Sequence, residues 1–186
     1  MKRFLLMTPT LAAMGVQPAL AFANTNAAAT LWIGVTTADG NSTPLAEDAD
    51  LELSDYEDLF WTQIKAVGAH GEVGSSTNIL SYDTWDTSVV RKAKGMTDAG
   101  SPEIELARLP ADPGQIALRA ASLLNNNFAF KIVRNDAPAG GTPTIIYNRG
   151  LVTGPRRPMG RNEDFDLEIF TLGLQQLEIV DDAAAA

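Results

Sequence analysis

The sequence predicts an all-β fold, a sandwich or barrel of about seven or eight strands with one flanking α-helix. Three observations point there. Short β-rich or period-two segments recur from residue 30 to residue 180, separated by turns rich in Gly, Pro, Asn and Asp. A single segment, opening at Asp112-Pro113, carries a helix start signal followed by apolar residues at helical spacing. The length of 186 residues, with 45% hydrophobic and 20% charged residues, suits one domain with a real core rather than two.

Taken in order, residues 1–29 form an N-terminal arm or leader. Lys2-Arg3 followed by the mostly apolar run Phe4–Phe22 and Ala23 has the parts of a secretory signal peptide. Pro9, Gly15, Gln17 and Pro18 interrupt it, however, and make it too broken for a transmembrane span. A retained arm packing on neighbouring subunits, or a start at Met7 or Met14, are the other readings. The domain itself occupies residues 30–182, and residues 183–186 read as a loose alanine tail.

Thr30–Thr36 is the first strand, closed by the turn Asp39-Gly40-Asn41. A polar stretch follows, in which Glu47, Asp48, Asp50, Glu52, Asp55, Glu57 and Asp58 form a dense acidic run. Its register does not match a helix-loop-helix calcium site, so a solvated or subunit-facing loop is the better reading. Phe60–Val67 is a strand, His70-Gly71-Glu72 a turn, and Asn78–Tyr82 a short apolar segment. Ser88–Lys94 is a strand with Lys92 and Lys94 on one side. Glu103-Ile104-Glu105-Leu106 alternates acids with aliphatics, as a half-buried antiparallel strand does.

Asp112 is a natural N-cap, Pro113 suits the first helical position, and Gln115 completes a capping box. Ile116, Ala120, Leu123 and Leu124 are the expected apolar stripe, ended by Asn125-Asn126-Asn127. Phe128–Val133 is a strand, Asp136–Thr144 a flexible loop, and Ile145-Ile146-Tyr147 the return of a hairpin. Arg149, Arg156, Arg157 and Arg161 cluster in an otherwise acidic chain and are expected to contact a neighbour's acidic run, Glu47, Asp48, Asp50 and Asp55 among it. Near the C-terminus Asp164, Asp166 and Glu168 alternate with Phe165, Leu167 and Ile169, and Gly173 permits a bulge before Leu177-Glu178-Ile179.

The chemistry available is limited. A net charge of −9 and a pI near 4.5 argue against a nucleic-acid binder, which needs clustered Lys and Arg. With no cysteine there are no disulfides, thiolate nucleophiles or Cys-ligated metals, and a single histidine, His70, excludes a two-histidine zinc site in one chain. His70 beside Glu72 has no nucleophile at recognisable spacing and reads as a turn residue rather than a general base. No catalytic residue, cofactor-binding motif or metal site is expected, and the chain does not read as an enzyme.

The order of motifs from Thr30 onward resembles the lambda-type tail tube (major tail) proteins of long-tailed bacteriophages, including gene-transfer-agent-like tails. The motifs are the Thr30-Leu31-Trp32 strand, a W-x-x-I-K-x-V strand from Trp61 to Val67, and a K-G-x-x-D-x-G turn from Lys94 to Gly100. Asp112-Pro113-Gly114-Gln115, an F-x-F-K-I strand from Phe128 to Ile132, and Arg149-Gly150-Leu151-Val152 complete the series. The motifs are loose individually; their order and spacing over residues 30–181 carry the likeness. The resemblance implies a tail tube fold, hexameric rings whose inner sheets join into a continuous barrel, and rings stacked around an acidic channel through which DNA passes without specific binding. It further implies self-assembly and contacts with tape measure, terminator and distal tail proteins. It implies a place in the virion tail after assembly in the host bacterial cytoplasm, with no membrane or cofactor. Glu103, Glu105, Asp164, Asp166 and Glu168 are the candidate channel-lining acids. Six subunits would bring 6 × (−9) = −54 charges.

A secreted β-sandwich binding module, for carbohydrate or adhesion, is the alternative. It draws on the signal-like start and on Trp32, Trp61 and Trp85, although tryptophans more often anchor cores and interfaces than sugar platforms.

Overall fold

The computed structural model describes residues 26–185 apart from Asp39 and Thr87, so the predicted arm or leader lies outside the described residues up to residue 25. Among the described residues ten strands and two helices follow one another as β1 (Thr30–Val35), α1 (Leu53–Glu57), β2 (Phe60–Ile64), β3 (Val67–His70), β4 (Ser76–Tyr82), β5 (Arg91–Asp98), β6 (Glu103–Ala107), α2 (Pro113–Ala121), β7 (Phe128–Val133), β8 (Ile145–Arg156), β9 (Leu167–Leu174) and β10 (Ile179–Asp181). The fold is all-β with a flanking helix, as the alternating segments predict. The expected strand over 60–67 is instead two strands bent at Lys65-Ala66, where Ala66 takes φ 58°. The short helix α1 inside the acidic run has no counterpart in the sequence reading.

One large antiparallel sheet runs β2-β1-β7-β8-β9-β6-β3, with β10 pairing β8 beyond the end of β9; β4 and β5 pair only with each other. The two outermost strands of the large sheet, β2 and β3, are consecutive in the chain and joined by two residues. The sheet must therefore roll until its edges meet, which is how a twisted sheet hides its unpaired edges. Cross-strand register sets the inner face. Leu31, Ile33 and Val35 of β1 lie in line with Ile64, Phe128, Phe130, Val152, Leu172, Phe170, Ile104 and Leu106, and all of these are buried.

Helix α2 plugs this rolled interior with Ala117, Leu118 and Ala121. The Asp112-Pro113-Gly114-Gln115 start explains its seating residue by residue. Asp112 Oδ2 accepts from the Gln115 amide at 3.0 Å and from the Lys65 amide at 3.3 Å, so one carboxylate caps the helix and holds the β2–β3 corner. Pro113 occupies the first turn, where its missing N–H costs nothing. Gly114 lies against β2 so closely that a Cβ there would sit 2.2 Å from the Gln63 carbonyl oxygen. Gln115 does not close a capping box. Its buried amide donates to the Lys65 and Ala107 carbonyls, both at 2.9 Å, and its oxygen accepts from the Leu109 N–H at 2.8 Å.

That seating rotates the helix away from the expected stripe. Ile116 and Leu124 are partly exposed and Leu123 is 85% exposed, while Ala117, Leu118 and Ala121 face the core. The inward-facing row runs one residue out of phase with the expected stripe, because Gly114's close approach to β2 decides which side faces inward.

A second, smaller core covers the opposite face of β7 and β8. Tyr147 stacks on Tyr56 at 5.0 Å between ring centroids, with Leu51, Leu59, Trp61 and Ile179 around them. The covering element is the 47–59 strap with its short helix α1. The alanine tail is not wholly loose either: Ala184 and Thr142 exchange backbone hydrogen bonds of 2.9 and 3.3 Å.

Candidate functional site

The β4–β5 hairpin stands apart from everything described above. Every residue of β4 is exposed, and Ile79, Leu80, Tyr82, Trp85, Val89 and Met96 present apolar surface on or beside the two strands. Tyr82 is 72% exposed, Met96 88%, and Trp85 is fully exposed at the tip. A lone two-stranded ribbon is marginal in water, and exposed apolar patches on folded chains are commonly sites of contact with other molecules. The apolar segment expected over Asn78–Tyr82 is the strand β4, and the strand expected over Ser88–Lys94 lies over Arg91–Asp98; their isolation is not legible, because exposure of a β-rich segment leaves no mark on its composition.

The second notable feature is a buried charge cluster where β9 begins. Glu168 is completely buried, on the core-facing row opposite Leu106. It accepts from Arg119 Nη1 at 2.6 Å and from Arg157 Nε at 2.9 Å, and Arg108 Nε lies 3.5 Å away. Arg108 also pairs with Asp166 at 3.2 Å. Burial alone would push the Glu168 carboxyl up, but the hydrogen bonds from Arg119 and Arg157 and their positive charges outweigh it and hold it below its ordinary value.

This removes Glu168 from the expected acidic row, while Asp164 and Asp166 stay exposed. Residues before Leu167 are not strand; Asp164 instead closes a turn by accepting from the Arg161 N–H at 2.7 Å. Within β9 the even-numbered residues face inward, so Glu168 joins Phe170 and Leu172, while Leu167 and Ile169 are half-buried and Phe165 is 82% exposed. The row was legible, but which side faced the core was not. Glu103 and Glu105 do point away from the core, as alternation predicts, with Ile104 and Leu106 buried between them, and Glu103 pairs with Arg156.

Of the arginines expected at a neighbour's acidic run, Arg149, Arg156 and Arg157 have carboxylate partners within the chain. Arg149 is only 4% exposed; it pairs with Asp50 and donates to the Glu47 carbonyl and the Gln176 side chain, both at 3.2 Å. Gln176 in turn binds both the N–H and the carbonyl of Leu51. Together they clamp the strap onto the sheet, and Arg149 is withdrawn from intersubunit contact. Asp48 is held by the Asn127 N–H and the Asn126 amide, and Asp55 accepts from the Glu52 N–H at 2.8 Å. The Asn127 bond leads in keeping the Asp48 carboxyl below its ordinary value, whereas burial, with Asp55 and Asp48 nearby, pushes Glu47 up. The acidic run is thus largely an internal fastening rather than a free loop. Among the four arginines, Arg161 is the one whose side chain has no partner among the described residues.

His70 ends β3 and lines a cleft of about 620 Å³ with Val67, Glu72, Ile132 and Arg134. Its Nδ1 lies 2.8 Å from the Gly71 carbonyl, and burial lowers its pKa. No nucleophile stands beside it among the cleft-lining residues. Of the tryptophans, Trp32 and Trp61 flank Lys131, whose Nζ lies 5.3 and 4.7 Å from their ring centroids. Among the described residues no helix is long and apolar enough to cross a membrane.

No family model matches the sequence, and no curated protein matches it. Solved structures match the fold. A chain from the cryo-EM structure of the anti-feeding prophage cap, described as the tube-terminating cap, has a TM-score of 0.56 and 12% sequence identity, covering 93% of this chain and 100% of that one. A chain from the six-fold symmetrised baseplate of the anti-feeding prophage has a TM-score of 0.56 and 9% identity, covering 89% of this chain and 100% of that one. At such identities the likeness establishes the fold, and a fold does not by itself assign a function.

Proposed function

We propose that this chain is a structural subunit of a phage or phage-like tail, and within it a tube subunit whose six copies form a ring that stacks on others around a channel for DNA. The observation that carries the proposal is the uncovered β4–β5 hairpin on a chain whose fold is otherwise complete. Covering one large apolar side chain is worth about 1.5–3 kcal/mol. Half a dozen partly exposed ones offer on the order of 10 kcal/mol toward association, enough to offset much of its entropic cost. The fold likeness to chains from a tube-terminating cap and a six-fold symmetrised baseplate supports the same reading, because both cover this domain nearly end to end.

The role is mechanical rather than catalytic. The outward acids of β6, Glu103 and Glu105, are the strand-borne candidates for the channel wall, joined there by the half-buried Ile169 and Thr171 of β9. Tape measure, terminator and distal tail proteins are the partners this role requires. Its place is the virion tail, after assembly in the bacterial cytoplasm.

Negative-stain electron microscopy and sedimentation velocity on the purified chain at rising concentration test the proposal. Rings or tubes with a central hole are expected, and replacing Trp85 and Met96 together by Ser should reduce polymer at least tenfold without altering the circular dichroism. A chain that stays monomeric throughout would refute assembly and favour a secreted binding domain.

A further inference from the structure

Resting on that self-assembly reading, we infer where the hairpin docks. The tip of one copy, Asp83 to Asp86, seats on the arginine-faced end of β9 on a second copy, against Arg157, Met159 and Phe165.

The receiving surface has unused donors. Three guanidiniums, Arg108, Arg119 and Arg157, meet only two carboxylates, Glu168 and Asp166. Arg119 is otherwise engaged by the Leu109 and Pro110 carbonyls. Arg157 uses only its Nε, so both of its terminal amino groups lack a partner among the described residues, and its side chain is 49% exposed. An arginine anchored through Nε to a buried carboxylate holds its terminal donors at a fixed angle, which suits a second carboxylate arriving from outside. Two residues after it Met159 is 92% exposed, and Phe165, three residues before Glu168, is 82% exposed, while the Arg108 N–H donates to the Asp166 carbonyl at 2.8 Å, holding the segment's end against the end of β6. The segment 157–165 thus offers free guanidinium donors and two bare apolar side chains, with the acids Glu163 and Asp164 between them.

The hairpin tip is its chemical complement. Asp83 and Asp86 have no ion-pair partner among the described residues, and Trp85 between them is fully exposed. One carboxylate accepts from the Arg157 terminal nitrogens, and the indole lies against the Met159 thioether, the Phe165 ring or a guanidinium face. Within a single copy the two surfaces do not meet, since Trp85 is bare and Arg157 has free donors. Tip and socket are different patches of the same chain, so their contact is head-to-tail; such contacts generate closed rings or open stacks rather than closed dimers.

The absence of cysteine allows a clean test. Asp86→Cys protein is mixed with Met159→Cys protein, oxidised with copper-phenanthroline, and run on a non-reducing gel. A mixed disulfide dimer is expected, and the double variant should give a ladder of multimers. Each should exceed by at least tenfold the product obtained when Ser101→Cys, an exposed control position, replaces Met159→Cys. Asp83→Lys with Asp86→Lys should shorten the polymers while leaving the circular dichroism unchanged. Wild-type polymers without the mixed disulfide, or unaffected by the Lys pair, overturn the socket and leave the tube reading standing. A wild-type chain that never polymerises overturns both.

Discussion

Replacing Glu168 by Gln isolates what the buried charge cluster contributes. The substitution keeps the shape and an acceptor oxygen but removes the charge that three guanidiniums surround. Breaking a buried ion pair by removing one partner costs about 3–5 kcal/mol. Here Arg108 and Arg157 are 42% and 49% exposed and recover hydration, so their share is heavily screened. Arg119, 22% exposed, is the cation left poorly compensated. The expected loss is about 2–3 kcal/mol, or roughly 5–10 °C in Tm for a chain of this size. The pH dependence makes the test specific. The folded-state pKa of Glu168 lies below its ordinary value of 4.5, so its contribution is fully present above about pH 4.5 and is lost as pH falls through the folded pKa. Urea melts of wild type and Glu168→Gln at pH 7 and pH 3 should therefore show a gap that narrows in acid, as the wild-type carboxyl also becomes neutral. Equal stability at pH 7, or a gap that does not change with pH, would refute the assignment.

Two further outcomes follow from backbone contacts. Gly114→Ala should destabilise the domain by more than about 3 kcal/mol even though alanine is the better helix former by about 1 kcal/mol, because its Cβ would meet the Gln63 carbonyl at 2.2 Å and neither backbone can yield; chemical denaturation reads this directly, and a neutral result would mean that α2 does not sit against β2 as described. Arg149→Met should free the 47–59 strap by removing its bonds to Asp50, the Glu47 carbonyl and Gln176. At a cost of about 2–4 kcal/mol, it should speed amide exchange at Leu51 and Tyr56 while leaving β1 and β7 protected, and uniform acceleration across the sheet would contradict a local clamp.

What could be read from the sequence follows a physical dividing line. Period-two alternation reports that a strand has two unlike faces, so Glu103 to Leu106 and the strands around Thr30 and Phe128 were legible. Alternation fixes which face is buried only when one row is plainly apolar. In β9 both rows carry apolar side chains, Leu167 and Ile169 on one and Phe170 and Leu172 on the other, and the acids Asp166 and Glu168 flank the first residue of the strand. The row that won is the one whose acid, Glu168, three arginines from elsewhere in the chain can neutralise. Two of these, Arg108 and Arg119, lie 60 and 49 positions away, beyond any local pattern. The helix start was legible because capping is local, but its rotation depends on how closely Gly114 approaches β2, which is a tertiary fact.

The same line runs through the charge argument for a channel. Sequence counting treats every acid as available to line a lumen. In the folded chain Glu168, Asp166, Asp50 and Glu103 are paired with arginine, and Asp48 is bound by Asn126 and Asn127. On the outward face of β6 this leaves Glu105 without an ion-pair partner among the described residues. If six copies enclose a channel with this face inward, its negative potential comes from six Glu105 carboxylates and whatever Glu103 retains beside Arg156. Glu105→Lys should therefore make the channel wall bind DNA, raising polymer-bound DNA at low salt and losing it again as salt screens the contact. Glu168→Gln, by contrast, should leave DNA retention unchanged. Equal DNA retention by Glu105→Lys and wild-type tubes would turn this face outward and require the lumen to be sought on another part of the subunit.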